Sequence, residues 1–252
     1  MSESAAVFLS AVIITLDEEA RIADAVASIR PWVGEVLVLD GGSRDATVQR
    51  ARAAGARVEQ HPFDGFVTQK QRAVELARGD LIFALDADER VDPTLGRALS
   101  EAARSWSSAS KPARVRRLNY LDGEPLRHGR WGHDRPVRLF DRRRARYGGE
   151  DPHDHVVIAE PTRLLDGSLH HDLDRDTRAY VRGTVRHARR AAASIAHRGR
   201  PGVAAPLLHG GAHLVRTLAL GAPLDGRRGW TVAWVGALGT ARKYRIARRL
   251  AS

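Results

Sequence analysis

The stretch Leu81-Ile82-Phe83-Ala84-Leu85-Asp86-Ala87-Asp88-Glu89 ends an apolar run in three acids within four positions. The run reads as a buried strand. A tight bend after it presents Asp86 and Asp88 to one hard divalent cation. Mg²⁺ and Mn²⁺ take oxygen ligands and commonly bind through one or two carboxylates plus the phosphates of a substrate. The spacing therefore points to metal-assisted handling of a diphosphate. The plain alternative is a solvated strand-to-loop corner, where acids are common.

The elements that must position these acids precede them. Val7 to Ile14 is a first apolar run, leading into Thr15-Leu16-Asp17-Glu18-Glu19. Ile22, Val26 and Ile29 then fall on one helical face, and Pro31 ends that helix. Glu35 to Leu39 is a second strand, ending in Asp40-Gly41-Gly42-Ser43. A helix carrying Val48, Ala51 and Ala54 leads through Gly55 to a short strand at 56–58. Thr68 to Ala77 reads as a helix, with Gly79 as its cap before the Asp86 strand. The alternation β-α-β-α-β-α-β predicts an α/β fold, a mostly parallel sheet with helices on both faces. Ligands of such sheets bind beyond the carboxyl ends of the strands. The acids at 17–19, at 40 and at 86–89 all fall on that rim.

In order, T-L-D-E-E, V-L-D-G-G-S-R-D-A-T, F-D-G-F-V-T-Q-K-Q-R-A and A-R-G-D-L-I-F-A-L-D-A-D-E-R resemble an inverting family 2 glycosyltransferase of the GT-A fold. More narrowly the chain is similar to bacterial lipopolysaccharide core β-1,4-glucosyltransferase-type enzymes. Pro152-His153-Asp154, Leu169-His170-His171 and Leu224 to Trp230 extend the resemblance towards the C-terminus. It implies a nucleotide-diphosphate sugar donor, with UDP-glucose as the default, a glycan or glycolipid acceptor, and Mg²⁺ or Mn²⁺ as cofactor. It places Thr15, Glu18, Asp40, Lys70, Asp86 and Ala87 around the nucleotide sugar and Asp86 and Asp88 at the metal and diphosphate, with Asp86 nearer the ribose and Asp88 on the metal. His170 is either a third metal ligand or a hydrogen-bonded structural histidine, and the plain alternative for Lys70 is a solvated helix face. Asp154 stands where the resemblance expects the acceptor base, with His153 orienting it. Asp replaces the usual Glu there, and Glu150 and Asp151 are close competitors. Asp17 replaces a usual Asn, a change that a local hydrogen bond can survive.

Composition fits one sizeable core: 252 residues, 43% hydrophobic, with no Cys and hence no disulfide or thiol chemistry. The N-terminus shows no basic signal region, and no stretch approaches the run of roughly 20 apolar residues that spans a bilayer. Charge is divided unevenly. Residues 1–110 hold 12 Lys+Arg and 17 Asp+Glu, net −5; residues 111–252 hold 29 and 13, net +16. This suggests a nucleotide-sugar half at 1–110, an acceptor-binding and catalytic half at 111–200, and an amphipathic helical segment at 201–252. In that last segment Trp230, Trp234, Val235 and Leu238 lead into Arg242, Lys243, Arg245, Arg248 and Arg249. A helix of this kind can lie on an anionic membrane. The expected setting is the cytoplasmic face of the inner membrane, as a peripheral protein.

Other readings are weaker. A polyprenyl-phosphate or other lipid-linked sugar transferase would share the fold. The histidine pairs 153/155 and 170/171 lack the Cys or H-E-x-x-H spacing of a zinc site. A phosphatase using a D-x-D nucleophile carries it on the first strand, whereas this pair follows the fourth. A nucleic-acid-binding protein wants stacking aromatics among its basic residues. Aromatics are 6% here, and the acidic rim repels a polyanion, so nucleic acid is not an expected partner.

Overall fold

The structure is a computed structural model and describes residues 7–150, 153–174 and 176–251. The chain divides into two units. One comprises residues 1–116, 135–149 and 153–171, and the other 117–134, 150–152 and 172–252.

The first unit opens with β1 (Leu9–Thr15), α1 (Ile22–Ile29), β2 (Glu35–Asp40), α2 (Thr47–Ala53), β3 (Arg57–Gln60), α3 (Phe66–Leu76) and β4 (Leu81–Asp86). This is the alternation predicted above. β1 pairs in parallel with both β2 and β4, and β2 with β3. Register places Thr15 opposite Asp40 and Ile14 opposite Asp86, so the three strands deliver their polar residues to one edge.

These strands read as continuous apolar runs because both faces are covered. Successive side chains point to opposite faces. Leu9, Ala11 and Ile13 of β1, with Leu81, Phe83 and Leu85 of β4, pack with Ile22, Val26 and Ile29 of α1. Val12, Ile82 and Ala84 face the other way and pack with Ala73 and Val74 of α3.

After β4, a two-residue turn leads to β5 (Glu89–Val91) and α4 (Pro93–Ser105). Asp92 caps α4 by accepting from Leu95 N at 2.7 Å, with Pro93 in the first turn. β6 (Ala113–Leu121) and β7 (Glu124–Leu126) follow, then the short α5 (Gly129–Gly132), β8 (Val137–Asp141), β9 (Arg146–Glu150), β10 (His153–Val157) and β11 (Arg163–Asp174). The main sheet runs β3-β2-β1-β4-β8-β6-β11-β5, with β7 on β6, and β9 and β10 form a separate pair. Residues 120–150 thus include the end of β6 and three short strands, β7, β8 and β9. The sequence pattern did not reveal these three because each is only 3–5 residues long.

Gly79 differs from its expected role. α3 already ends at Leu76, and Ala77 is extended. Gly79 instead lies against β1, donating its N–H to Ser10 Oγ at 2.9 Å. A Cβ there would stand 2.2 Å from Phe8 O, so close approach of backbone rather than helix termination requires glycine.

The second unit is mainly helical, with α6 (Thr177–His197), α7 (Ala205–Ala219) and α8 (Gly226–Leu250). Asp176 caps α6 by accepting from Ala179 N at 2.7 Å. Among the described residues, no helix is long and apolar enough to cross a membrane.

Candidate active site

The loops after β1 and β2 are clipped together by side chains of the polar rim. Asp17 N donates to Ser43 Oγ at 2.9 Å, and Arg44 N donates to Asp17 Oδ1 at 2.8 Å. Glu18 N donates to Thr47 Oγ1 at 2.8 Å, and Ala46 N to Glu19 Oε2 at 3.1 Å. Asp17 has φ 55°, a left-handed conformation that Asp tolerates almost as Asn does. The local hydrogen bond expected to survive the Asn-to-Asp change is present.

Asp40 is fully buried and accepts from Gly42 N at 3.1 Å, Ser43 N at 3.0 Å and Gln60 Nε2 at 3.3 Å. Its carboxylate therefore shapes the Gly41-Gly42-Ser43 turn. Thr15 is buried at the end of β1, and its hydroxyl has no hydrogen-bond partner. Glu18 pairs with Arg21 Nε at 2.8 Å. Burial pushes the Glu18 carboxyl above its usual range; the Arg21 charge opposes this, and the nearby Asp88 charge adds to it.

Asp86 and Asp88 part company at the turn after β4. Asp86 is held by Lys70 Nζ at 3.0 Å and by Arg138 Nη2 at 2.6 Å. Arg138 also reaches Glu89, and Glu89 Oε2 accepts from Asp86 N at 3.0 Å. Ala87, expected beside the nucleotide sugar, is buried in the turn between the two acids and packs into the core. Asp88 meets His171 Nε2 at 3.4 Å and Arg21 Nη1 at 3.9 Å. Burial acts to raise the Asp88 carboxyl, but His171 and Arg21 outweigh it and hold the group below its usual value.

The histidine that reaches Asp88 is His171, the neighbour of the expected His170. Antiparallel pairing of β11 with β5 sets His171 opposite Glu89 and His170 opposite Arg90, and side chains alternate across a strand. Among the described residues, no three His, Asp or Glu side chains converge on one point. Asp88 and His171 together offer one oxygen and one nitrogen. That donor pair fits a divalent cation that would draw its other ligands from the substrate and solvent.

Lys70 links the rim to the expected base. It lies on α3, is 13% exposed, and its ammonium sits 2.9 Å from Asp154 Oδ2 as well as 3.0 Å from Asp86. Its nitrogen also lies 5.7 Å from the centre of the Tyr147 ring. Burial alone would lower the Lys70 pKa, yet Asp86, Tyr147 and Asp154 drive it upward, so the ammonium is permanently charged. Burial pushes the Tyr147 hydroxyl up to about 12, against the pull of Lys70 and Arg138. Beneath Lys70 is a cavity of about 10 Å³ lined by Val12, Ile14, Ala73, Ala84 and Tyr147, room for one water at most.

Asp154 reaches Lys70 because β10 alternates. Val156 and Ile158 pack on the same core cluster as Tyr147 and Phe140, while His155 and Val157 are exposed. Glu150 accepts from Ser194 Oγ on α6 at 2.6 Å and pairs at 2.7 Å with Arg198, the residue that follows that helix. Asp151 and the side chain of His153 lie outside the described residues.

Arg21, Arg138 and Tyr147 were not singled out from the sequence, and Glu89 and His171 appeared there only within their motifs, without these contacts. Of the first three, only Arg138 left a trace, as a lone cation inside the apolar run Val137 to Phe140.

The model of glycosyl transferase family 2 matches residues 10–159, more than half of the chain. Lipopolysaccharide core biosynthesis glycosyltransferase LpsC of Rhizobium meliloti is 35% identical over 144 residues, covering 55% of this chain and 53% of that protein. A glycosyltransferase of Rickettsia felis is 45% identical over 87 residues, covering 34% of this chain and 31% of that one. The matched stretches thus span about a third to a half of these curated relatives. A glucosyl-3-phosphoglycerate synthase from Mycobacterium tuberculosis, crystallised with Mn²⁺, UDP-glucose and phosphoglyceric acid, is 28% identical. Its match covers 47% of this chain and 45% of that one, with a TM-score of 0.38. With its parallel β3-β2-β1-β4 core, helices on both faces, and a family model matched over more than half of its length, this chain belongs to glycosyl transferase family 2.

Proposed function

We propose that the chain transfers a sugar, with inversion, from a nucleoside-diphosphate donor to a glycan or glycolipid acceptor in cell-envelope polysaccharide synthesis. The observation that carries this reading is Lys70, which ties a donor-side acid, Asp86, to the candidate base, Asp154, through one buried ammonium. The similarity to LpsC supports lipopolysaccharide core as the setting.

In this mechanism Thr15, Glu18, Asp40, Asp86 and Ala87 bound the nucleotide-sugar pocket at the strand ends. Asp88 and His171 would hold a divalent cation, whose charge would offset that of the leaving diphosphate. Arg21, 3.9 Å from Asp88, adds a fixed positive charge on the same side. Lys70 and Arg138 fix the Asp86 carboxylate, so it is already oriented before the donor arrives. Asp154 takes the proton from the acceptor hydroxyl as that oxygen attacks the anomeric carbon.

Asp88→Asn keeps the side-chain size and removes the ligand charge. Its turnover is expected to fall about 10²–10³-fold, the scale of losing one preorganised electrostatic contact. The assay is sugar transfer to a lipopolysaccharide-core acceptor at saturating Mn²⁺. Wild-type kinetics in the variant contradict the assignment.

A lipid-linked acceptor requires the enzyme to work at a membrane, and α8 supports this. Its outward face carries Trp230, Trp234 and Leu238, all exposed, and then Arg242, Arg245 and Arg249, at spacings of three and four residues. α7 adds exposed Leu207, Leu208 and Val215. We expect co-sedimentation with anionic but not zwitterionic vesicles. The Arg245→Glu/Arg249→Glu double variant loses about 1 kcal/mol per removed cation, and high salt weakens binding further. Equal partitioning of the double variant and wild type contradicts the role of this face.

A further inference from the structure

α5, α7 and α8 gather basic side chains at one place within the helical unit. Arg130 Nη1 on α5 lies 3.5 Å from His213 Nδ1 on α7, and Thr240 Oγ1 on α8 lies 3.4 Å from the same nitrogen. Lys243 and Arg216 are further charged neighbours of His213, and Arg130 also acts on Lys243. Gly236 leaves room for the ring, since a Cβ there would stand 2.4 Å from His213 Nε2. Burial, then Arg130, Lys243 and Arg216, hold the His213 imidazole below its usual pKa, and burial with Arg130 does the same to Lys243.

Two arginines of this unit, Arg117 and Arg198, pair with Asp134 and Glu150, each at 2.7 Å. Among the described residues, no carboxylate pairs with Arg130, Arg216 or Lys243. Lys243 is partly buried and Arg130 and Arg216 are exposed; like charges gathered without a counter-charge repel one another and oppose folding. An arrangement that costs stability in the free protein and suits a guest anion is what a ligand site demands.

We propose that Arg130, His213, Arg216 and Lys243, with the Thr240 hydroxyl, form a binding site for a phosphate group, built from none of the strand-end residues. A guanidinium offers paired N–H donors to phosphate oxygens, Lys243 adds a point charge, and Thr240 can donate a hydroxyl hydrogen bond. Two sources share this chemistry: a phosphate on the acceptor glycan, and an anionic lipid headgroup. That the phosphate is the acceptor's rests on the glycosyl-transfer reading; the site itself does not.

The test follows the His213 imidazole by NMR in the full chain, with ionic strength held constant by chloride. The probes are inorganic phosphate, a hexose phosphate, and dihexanoyl phosphatidylglycerol below its micelle-forming concentration. Saturable binding is expected to raise the His213 midpoint by roughly one unit, as an added opposite charge does. Arg130→Gln and Lys243→Gln should each weaken phosphate binding at least about tenfold, while melting at higher temperature than wild type in phosphate-free buffer. A response to the hexose phosphate without the lipid assigns the acceptor, and a response to the lipid assigns the headgroup. No saturable response, or an unchanged response in both variants, overturns the site. Mn²⁺-dependent donor binding, measured on the same samples, shows separately whether the glycosyl-transfer reading stands.

Discussion

Asp154→Asn is expected to abolish transfer while leaving donor affinity nearly unchanged. The carboxylate acts on the acceptor hydroxyl, and general-base contributions are about 10²–10⁴-fold in rate. The substitution preserves shape, and Lys70 keeps Asp86 as a partner at 3.0 Å, so the fold should persist. Glu150→Gln is the matched control. Its carboxylate meets Ser194 and Arg198, and its loss should leave transfer within about twofold of wild type, as is usual for an exposed ion pair. Calorimetric donor titration beside transfer rate separates the two variants. An active Asp154→Asn enzyme with a dead Glu150→Gln enzyme would move the base to Glu150.

Arg138→Met should produce the largest loss of stability. The guanidinium is 4% exposed and is shared by Asp86 and by Glu89, which is fully buried. Removing one partner of a buried ionic group costs about 3–5 kcal/mol, because the remaining charges stay in a low-dielectric setting. The urea midpoint is the measure. Glu89→Gln in the Arg138→Met background should recover part of that loss, since the two residues interact directly. An Arg138→Met protein as stable as wild type would mean that the cluster contributes only orientation.

The parallel half of the fold was legible because its strands are apolar on both faces and its acids fall where strands end. Thr15, Asp40 and Asp86 do share one edge, whereas the contact of Lys70 with Asp154 was not expected from the sequence. What periodicity could not give was the partner of each acid. Arg138 arrives on β8 from 52 residues beyond Asp86, and His171 arrives by the register of β11 on β5. A one-residue difference in that register separates His171 from the expected His170, and nothing local to the sequence sets it. Asp40 shows the reverse limit. Its position at a strand end was legible, but its use in holding its own turn depends on hydrogen bonds that only the folded loop displays.

The central claim is that the strand-end site takes a nucleoside-diphosphate sugar together with a divalent cation. The most direct measurement is calorimetric titration of the wild-type protein with a panel of nucleotide sugars, UDP-glucose first, in Mn²⁺ and again in excess EDTA. Saturable binding of at least one donor in Mn²⁺, lost in EDTA and in Asp88→Asn, is the predicted result. Binding of no donor, or equal binding with and without the cation, would contradict the account.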